Sequence, residues 1–433
     1  MNKIAQDILT RLRSGRALNG APLPDGCLLP AYGGHSLVNI PATVLAHFNV
    51  PGLPTPPLPP EVTGDHLKGS RKLVVLLIDA LGYLPLAAQM ASDRALSLND
   101  LARRGRFTPL TSVFPSTTSA TLSTLHTGLP PSGHGITGYR MYLPERGTVA
   151  NMIRLSPDAD ERPNRLLREP GDGRALLGAP TVHRRLTRAG VLSICLIEKT
   201  IFRSGLSQML YADASATLPY VSSSDLFVQI RKLLTTDPDL PACIWAYWGA
   251  LDIIQHDYGT WGEAPAAEVR SLAYSLQTEL VAPLRRSGGC EATLMLTADH
   301  GHIHVAGEDI LSLTKLRRLR DALVAPPTGT ARAPYLHLRD GTAGPLKAHL
   351  NRTLGDRLLA LRSGEALAGG LWGPGKARAE LPGRVGDLIL LMRDARMLFY
   401  PYRKGVRPSS LAGGSHGGLS EEEMLIPFLC VRL

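Results

Sequence analysis

Short runs of apolar residues recur along the chain, and longer amphipathic stretches separate them. The runs occupy residues 73–78, 191–197, 242–248 and 292–297. A run that is apolar throughout is typical of a strand buried on both faces of a parallel sheet. The stretches 87–103 and 266–285 between them have the polar and apolar spacing of helices. This alternation predicts an α/β fold, a doubly wound and mostly parallel sheet flanked by helices.

The remaining segments suggest how the chain is divided. Residues 1–70 begin with a short amphipathic helix and continue into a stretch rich in Pro and Gly, which predicts an arm or linker packing on the core. Residues 305–404 change character and predict a smaller α+β insertion that acts as a cap. The predicted core therefore consists of residues 71–304 and 405–433.

Composition narrows the class of protein. Among 433 residues, 44% are hydrophobic and 19% are charged, as expected for a chain with a sizeable core. The net charge of +10 is spread along the chain, which favours attraction of small anionic phosphate substrates over a dedicated nucleic-acid surface. The sequence does not indicate an oligomeric state.

Location is predicted from three further features. No apolar run approaches the ~20 residues of a membrane-spanning helix, so no membrane association is expected. The N-terminal segment lacks the apolar core of a signal peptide. The five cysteines are scattered and form no CxxC motif, which favours buried free thiols in a reducing cytosol. A cytoplasmic protein is the resulting prediction.

Acidic and imidazole side chains follow the predicted strands, where a parallel sheet places its functional residues. They are Asp79, Asp252, His256, Asp299, His300 and, in a Gly-rich segment near the end of the chain, His416. Taken singly, such an Asp is often a helix cap and such a His an ordinary core or surface residue. Together they predict a site for two divalent metal ions, for which carboxylate and imidazole ligands favour Zn²⁺ over Mg²⁺ or Ca²⁺.

Residues 112–139 form a second candidate segment, which is rich in Ser, Thr and Gly. The segment could be only a capped helix, with Pro115 and Ser116 at its start and Gly128 past its end. The first N–H groups of a helix also bind anions, and a Thr hydroxyl placed there beside a metal can attack phosphorus. One segment can therefore supply both a nucleophile and a phosphate site.

Five motifs, taken in order, resemble those of the alkaline phosphatase superfamily. They are VLLIDALG, FPSTTSATLSTLHTG, DIIQH, TADHGH and SHGG, within about residues 70–320 and from about 410 to the end. The pattern is most similar to the nucleotide pyrophosphatase/phosphodiesterase branch and to related bacterial proteins. The resemblance implies that Asp79, Asp299 and His300 hold one metal ion. It implies that Asp252, His256 and His416 hold the other.

The same resemblance implies a threonine nucleophile. The family's nucleophile lies four residues after the Phe of a Phe-Pro pair, which here gives Thr118, in contact with both ions, with Thr117 as the alternative. Similar phosphodiesterases carry a Lys before the nucleophile and an Asn three residues after it, whereas this chain has Thr117 and Thr121. We expect Thr121 to replace the Asn in binding a phosphate oxygen. Tyr139 is a candidate for the wall of a leaving-group pocket, or simply a packing residue.

The implied activity is metal-dependent hydrolysis of phosphodiester or pyrophosphate bonds in nucleotide-type substrates, through a phospho-threonine intermediate. Two Zn²⁺ ions are the expected cofactors, with Mn²⁺ as the alternative. Phosphomonoesterase or phosphonate hydrolase activity is the alternative within the same superfamily. A sulfatase is not favoured, because the segment around Thr118 lacks the C/S-x-P-x-R motif of that group. A non-catalytic scaffold or nucleic-acid-binding protein is the alternative from another class.

Overall fold

The computed structural model describes residues 3–15, 17–19, 21–160, 162–168, 173–402 and 412–433. Within these ranges two seven-stranded sheets carry most of the strands. In chain order their strands are β1 (Lys72–Ile78), β2 (Arg106–Thr111), β3 (Arg140–Leu143), β4 (Thr148–Asn151), β5 (Ser156–Pro157), β6 (Leu192–Glu198), β7 (Ala216–Tyr220), β8 (Ala242–Trp248), β9 (Ala292–Thr297), β10 (Thr328–Gly329), β11 (Pro334–Leu336), β12 (Leu358–Arg362), β13 (Leu388–Met392) and β14 (Leu425–Arg432).

The first sheet has the strand order β2-β14-β9-β1-β8-β6-β7. Strand β1 lies between β8 and β9 and is parallel to both, and β8, β6 and β7 continue the parallel arrangement. Only β14 runs the other way, pairing antiparallel with β9 and β2. All of β1 is buried, as its uninterrupted apolar sequence requires. The predicted fold, a mostly parallel sheet flanked by helices, is therefore confirmed.

Helices join strands of the two sheets and pack against them. The longer ones are α1 (Lys3–Ser14), α2 (Asn39–His47), α3 (Tyr83–Ser92), α4 (Leu98–Arg104), α5 (Thr118–Thr127), α6 (Val182–Arg188), α7 (Ser223–Thr235), α8 (Ala250–Tyr258), α9 (Glu263–Ser275) and α10 (Ala343–Thr353). Shorter ones span Pro60–Thr63, Pro131–His134, Arg165–Arg168, Gly205–Leu210, Ala282–Arg286, Arg317–Ala322, Ser363–Ala368, Leu381–Val385 and Glu421–Met424. None of the helices in the described ranges combines the length and apolar character needed to cross a bilayer.

The second sheet has the order β12-β13-β11-β10-β3-β4-β5 and is antiparallel at each pairing. Side chains of β13 alternate between its two faces, as the pleat requires. Ile389 and Leu391 join the main core, whereas Leu388, Leu390 and Met392 join a second cluster with α10. The sheet is thus packed on both faces and rests against the main body.

Two distant segments build this second sheet. Strands β10–β13 come from the predicted insertion at 305–404, and β3–β5 come from residues 140–157, which pair with it through Gly329 and Arg140. The predicted boundary between 404 and 405 lies outside the described residues, because 403–411 are not among them. The division into arm, core and insertion stays a prediction.

The N-terminal segment contributes to the main core. Helix α1 buries Ile8, Leu9 and Leu12 and packs near β2. Its apolar residues lie three to four positions apart, so they share one face of the helix. Further along, the N–H of Leu28 donates to the carbonyl oxygen of Leu419 at 2.7 Å. This segment therefore touches the loop that carries His416.

Candidate active site

The three aspartates predicted as ligands lie at one edge of the first sheet. Asp79 directly follows β1, and its N–H donates to the carbonyl oxygen of Trp248, the last residue of β8, at 2.9 Å. Asp299 follows β9, and Asp252 lies in the first turn of α8, just after β8. Because β1, β8 and β9 are parallel neighbours, their carboxyl ends coincide and bring these carboxylates together.

Asp79, Asp299 and His300 form the first cluster, in which one ligand atom of each lies within 4.8 Å of the others. The His300 Nε2 atom is 3.5 Å from Asp79 Oδ1 and 3.3 Å from Asp299 Oδ2. All three side chains are buried. Asp79 Oδ1 has no hydrogen-bond partner among the described residues, although it is buried. An oxygen in that position fits a metal ligand, since buried polar atoms otherwise require a partner.

The second cluster centres on Asp252. Its Oδ1 atom lies 3.6 Å from His256 Nε2 and 4.0 Å from His416 Nε2. A third imidazole, His302, approaches the same oxygen to 2.8 Å. The sequence argument did not select His302, although it stands in the TADHGH motif. The rings of His300 and His416 stack with their centroids 3.8 Å apart, which joins the two clusters.

Backbone carbonyls orient three of the imidazoles. Nδ1 of His256 is 2.8 Å from the Gly414 oxygen, and Nδ1 of His416 is 2.9 Å from the Ser116 oxygen. Nδ1 of His300 is 3.2 Å from the oxygen of Gly301. A proton on each Nδ1 is thereby held by a carbonyl, which leaves each Nε2 lone pair facing the clusters. Metal-binding histidines are usually held in this way.

Burial also sets the charge state of the site. Burial raises the pKa of Asp79 well above its usual range, and the nearby carboxylates of Asp299 and Asp252 raise it further. Burial also raises the pKa of Asp299. Burial lowers the pKa of His300 to about 3 and that of His416 well below its usual range. Neutral imidazoles beside crowded carboxylates are suited to a divalent cation, which offsets the repulsion between the carboxylates.

Neighbouring donors fix the two carboxylates of the first cluster. The Tyr247 hydroxyl donates to Asp79 Oδ2. Asp299 Oδ1 accepts from the N–H groups of Ala80 at 3.1 Å and of His300 at 2.9 Å. The Thr121 hydroxyl lies 3.3 Å from Asp299 Oδ2. Each carboxylate is therefore held by hydrogen bonds from groups that are not metal-ligand atoms: the Tyr247 hydroxyl for Asp79, and two backbone N–H groups for Asp299.

Thr118 is the first residue of α5, and Thr117 in an extended conformation precedes it. The Thr118 hydroxyl lies 3.3 Å from His300 Nε2. Its position at the start of the helix places it where the backbone N–H groups have no partner within the helix. Gly128, in the left-handed conformation at φ 70°, ends the helix.

A cavity of about 690 Å³ opens above the two clusters. Its floor includes Asp79, Thr118, Asp252, His256 and His416. Much of the wall comes from residues 327–331, which include β10 of the second sheet, and from residues 397–400. Strand Met397–Phe399 pairs with Ile310–Ser312 in a separate two-stranded sheet. The cavity therefore lies between the two sheets, with the candidate ligands on one side.

Tyr139 lines this cavity and is 37% exposed. The Arg140 guanidinium carbon lies 3.9 Å from the ring centroid of Tyr402 and 5.0 Å from that of Tyr139. Thr121, in contrast, is buried below the floor, and its hydroxyl donates to the Thr117 oxygen at 3.0 Å. Of the two predicted substrate contacts, the structure brings Tyr139 to the cavity, while the contact between Thr121 and a phosphate oxygen stays a prediction.

The loop that carries His416 depends on glycines. A Cβ atom on Gly413 would lie 2.1 Å from the His256 oxygen, and one on Gly414 would lie 2.3 Å from the Gln255 oxygen. The loop can therefore approach α8 closely only without side chains at these two positions. This close approach is what brings His416 next to Asp252.

A buried ion pair also holds this loop. Arg332 Nη2 is 2.8 Å from Glu423 Oε2, and both side chains are almost fully buried. Glu423 Oε1 also accepts from the Gly418 N–H at 2.8 Å, and the Ser116 hydroxyl donates to the Gly418 oxygen at 2.9 Å. The pair thus connects the second sheet to the residues that follow His416.

The family model described as type I phosphodiesterase / nucleotide pyrophosphatase matches residues 73–419. The chain belongs to this family. The family assignment confirms the predicted membership of the alkaline phosphatase superfamily, in the nucleotide pyrophosphatase/phosphodiesterase branch. It also confirms that this family member is a hydrolase of phosphate esters and anhydrides.

Solved structures of low sequence identity share the fold of this phosphodiesterase-family chain. Murine ectonucleotide pyrophosphatase/phosphodiesterase 5 is 17% identical with a TM-score of 0.61, covering 83% of this chain and 88% of its own. The human protein of the same name is 16% identical with a TM-score of 0.61, covering 83% and 87%. Phosphonoacetate hydrolase from Sinorhizobium meliloti is 21% identical with a TM-score of 0.61, covering 84% and 91%. No curated protein sequence matches the chain.

The family is metal-dependent, and this member has two groups of side chains that could hold metal ions. One group is Asp79, Asp299 and His300, and the other contains Asp252, His300, His302 and His416. Asp79 Oδ1, which is buried without a hydrogen-bond partner among the described residues, and the Nε2 atoms that face the clusters are suitable ligand atoms for metal ions. The geometry thus agrees with the chemistry expected of the family.

Proposed function

We propose that this protein hydrolyses phosphodiester or pyrophosphate bonds of small nucleotide-type substrates, with Thr118 as the nucleophile. The observation that carries the proposal is the position of the Thr118 hydroxyl. It lies at a helix start in the cavity lining and 3.3 Å from His300, whose Nε2 belongs to the first group of candidate ligands. A hydroxyl in such surroundings is well placed to attack a bound phosphoryl group.

Two sets of three side chains would hold two divalent ions, preferably Zn²⁺, with Mn²⁺ as the alternative. Asp79, Asp299 and His300 form the first set, and Asp252, His256 and His416 form the second. When bound, such ions withdraw charge from phosphoryl oxygens and lower the pKa of a neighbouring hydroxyl. Thr118 faces the first set through its contact with His300.

Thr118 carries the covalent step in this proposal. Its Oγ atom forms a bond to phosphorus while the bond from phosphorus to the departing alcohol or nucleotide breaks. The hydroxyl proton passes to solvent, and the departing oxygen takes up a proton. Water then attacks phosphorus, which releases the phosphate product and restores the threonine hydroxyl.

The cavity would hold the departing group. Tyr139, Ile153 and Phe399 offer apolar and aromatic surface, and Arg140 adds positive charge. Aromatic and apolar walls with a few polar groups are usual in sites for small ligands. One related structure is the murine phosphodiesterase in an inactive form with AMP, which favours a nucleotide.

Phosphonate hydrolysis is the second candidate. It is favoured by the structural similarity to the hydrolase from S. meliloti, which was solved with phosphonoacetate. Both candidates use the same arrangement of Thr118 and acidic and imidazole side chains, and they differ in the group that the cavity accepts. A cytoplasmic location belongs to the same proposal and rests on the sequence alone.

The test compares bis-p-nitrophenyl phosphate, p-nitrophenyl phosphate, a p-nitrophenyl nucleotide ester and phosphonoacetate, with and without a chelator. We expect the diester and nucleotide ester to be turned over fastest and chelation to abolish turnover. Thr118→Ala should lower kcat by at least about 10³-fold, because the nucleophile is lost. Thr117→Ala is the matched control, since it removes a hydroxyl from the adjacent residue.

Three outcomes would contradict the proposal. Faster turnover of the monoester than of the diester would exclude a phosphodiesterase preference. Turnover of phosphonoacetate alone would select the second candidate. A larger loss of activity in Thr117→Ala than in Thr118→Ala would show that Thr118 is not the nucleophile.

A further inference from the structure

His302 is the one imidazole of the second cluster to which the proposed function gives no role. It is fully buried, and its ring centroid lies 4.6 Å from that of His256 and 4.9 Å from that of His416. Its Nε2 atom is 2.8 Å from Asp252 Oδ1. A buried imidazole in contact with a proposed metal ligand can have one of two roles at the site.

The first role is that of an additional metal ligand. Ligand atoms of Asp252, His300, His302 and His416 all lie within 4.8 Å of one another, so distance alone permits it. To bind an ion through Nε2, His302 would need its proton on Nδ1. The second role is that of a hydrogen-bond donor, which requires the proton on Nε2.

The surroundings of Nδ1 distinguish these two roles. In His256, His300 and His416, Nδ1 faces a backbone oxygen, at 2.8, 3.2 and 2.9 Å respectively. In His302, Nδ1 has no hydrogen-bond partner among the described residues, and a Cβ atom added to Gly414 would lie only 2.5 Å from it. A proton on this Nδ1 would be buried without an acceptor, which proteins generally avoid.

Nε2, in contrast, has a good acceptor. The separation of 2.8 Å from Asp252 Oδ1 is that of a charge-assisted hydrogen bond. Both nitrogens therefore favour the same tautomer, with the proton on Nε2. In that form the Nε2 lone pair is not available to a cation.

We propose that His302 is a positioning residue that donates a hydrogen bond to Asp252 and fixes this carboxylate in the second metal site. The ligands of that site are then Asp252, His256 and His416, as in the proposed function on which this inference rests. His302 acts on them through Asp252, much as Tyr247 acts on Asp79 at the first site. Each site would then contain one ligand carboxylate held by a side-chain donor.

The experiment measures metal binding to the purified full-length protein. Metal-free His302→Ala, His302→Gln and the parent protein are titrated with Co²⁺ against a chromogenic chelator, and their visible spectra are recorded. The amide N–H of Gln can replace the Nε2–H of His302 as a donor. His304→Ala is the matched control, since His304 is an exposed imidazole of the same segment.

We expect all variants to bind two Co²⁺ ions at saturation. In His302→Ala the affinity for one of the two ions should fall about 10- to 100-fold, the usual effect of removing a partner that orients a metal ligand. His302→Gln should recover most of this loss and keep the spectrum of the parent protein. His304→Ala should retain the affinity of the parent protein.

A spectrum of His302→Gln that shows a changed coordination sphere, without recovery of affinity, would make His302 a ligand and overturn the inference. An unchanged affinity in His302→Ala would show that it has no role in metal binding. Thermal unfolding of each variant separates a folding defect from a binding defect, and His302→Gln keeps the test decisive if His302→Ala is unstable. Since the readout is metal binding, failure of Thr118 to act as nucleophile would leave these results unaffected.

Discussion

The buried pair of Arg332 and Glu423 gives the sharpest prediction about stability. Arg332 donates through Nε at 3.1 Å and through Nη2 at 2.8 Å to the two Glu423 oxygens. Glu423 also accepts from the N–H groups of Gly418 at 2.8 Å and Ser420 at 3.2 Å. Four donor groups therefore bind the Glu423 carboxylate. The Arg332 side chain is 1% exposed, so water cannot replace Glu423 as its hydrogen-bond partner.

Glu423→Ala should destabilise the protein by about 3–5 kcal/mol. The free energy comes mainly from leaving the Arg332 charge buried and unpaired, with the N–H groups of Gly418 and Ser420 losing their acceptor as well. Removing both charges in Arg332→Met/Glu423→Leu should cost less than the sum of the two single changes, because no unpaired charge remains. Urea unfolding, followed by tryptophan fluorescence, measures each value.

Arg13→Ala provides the control for this comparison. Arg13 pairs with Glu421 at 2.6 Å, only two residues from Glu423, but its side chain is 40% exposed. Because solvent reaches the Arg13 guanidinium, loss of this partly exposed pair should change the free energy of unfolding by only about 1 kcal/mol. The reasoning fails if Glu423→Ala loses no more than Arg13→Ala, or if the double change equals the sum of the single ones.

Three further predictions concern ligand support, loop packing and pH. Tyr247→Phe removes the donor to Asp79, so the affinity for one metal ion should fall about 10- to 100-fold in a chelator competition. Gly414→Ala should displace the loop that carries His416 and lower the bound metal per chain, measured by atomic emission, whereas Gly364→Ala, where a Cβ atom meets nothing within 4 Å, should not. His183→Gln should weaken the dependence of stability on pH below about 6.5, measured by urea unfolding at several pH values.

The sign of the pH effect follows from the burial of His183. Burial lowers its pKa to about 3, and the charge of Asp213 opposes this only in part. The His183 imidazole therefore binds a proton near pH 6.5 in the unfolded chain but stays neutral at that pH in the folded chain. The contribution of His183 to the free energy of unfolding is therefore fully present above pH 6.5. Below that pH it falls by about 1.4 kcal/mol per pH unit, until the pKa of His183 in the folded protein is reached.

Other groups surround His183, and the closest could contribute to the same effect. They are His126 at 3.1 Å, Ser193 at 2.7 Å, Cys195 at 3.8 Å, and the rings of Tyr211 and Trp245. Burial lowers the pKa of His126 as well. An unchanged slope in His183→Gln would contradict the argument.

Tyr220→Phe is the matched control for Tyr247→Phe. The Tyr220 hydroxyl donates to the Tyr247 carbonyl oxygen at 2.7 Å and so contacts the same strand without reaching a carboxylate. Equal losses of metal affinity in both variants would show that the effect comes from the strand and not from the hydrogen bond to Asp79.

The positions of Asp79, Asp252 and Asp299 could be predicted because they depend on a local pattern. Each follows an apolar run, and neighbouring parallel strands end at the same edge. His302 was missed, although one signal was present: His300 and His302 alternate, and in extended backbone such residues lie on the same side. No comparable pattern in the sequence predicts that Thr121 points inward, because its hydrogen bonds to Thr117 and Asp299 depend on how α5 packs.

The composition of the second sheet could not be predicted from local pattern. Strand β3 meets β10 at Arg140 and Gly329, positions far apart in the chain. Neither strand is longer than four residues, so neither has a recognisable periodicity of its own. The pairing of such short segments depends on the tertiary structure, which brings them together from distant parts of the chain.

The cavity between the two sheets separates the two tasks that an enzyme of this family performs. In the proposed mechanism the phosphorus chemistry depends on residues at the strand ends of the first sheet, whereas much of the opposing wall comes from residues 327–331 and 397–400. Thr330 is an exception within that wall, because its hydroxyl donates to the oxygen of Gly417, the residue after His416, at 3.1 Å. Substitutions at other wall positions, such as Phe399 and Tyr400, can accumulate without disturbing the groups proposed to act on phosphorus. Relatives can thus diverge in what they cleave from phosphate while they keep the reaction itself, and wall segments exchanged between them offer a route to redirect selectivity by design.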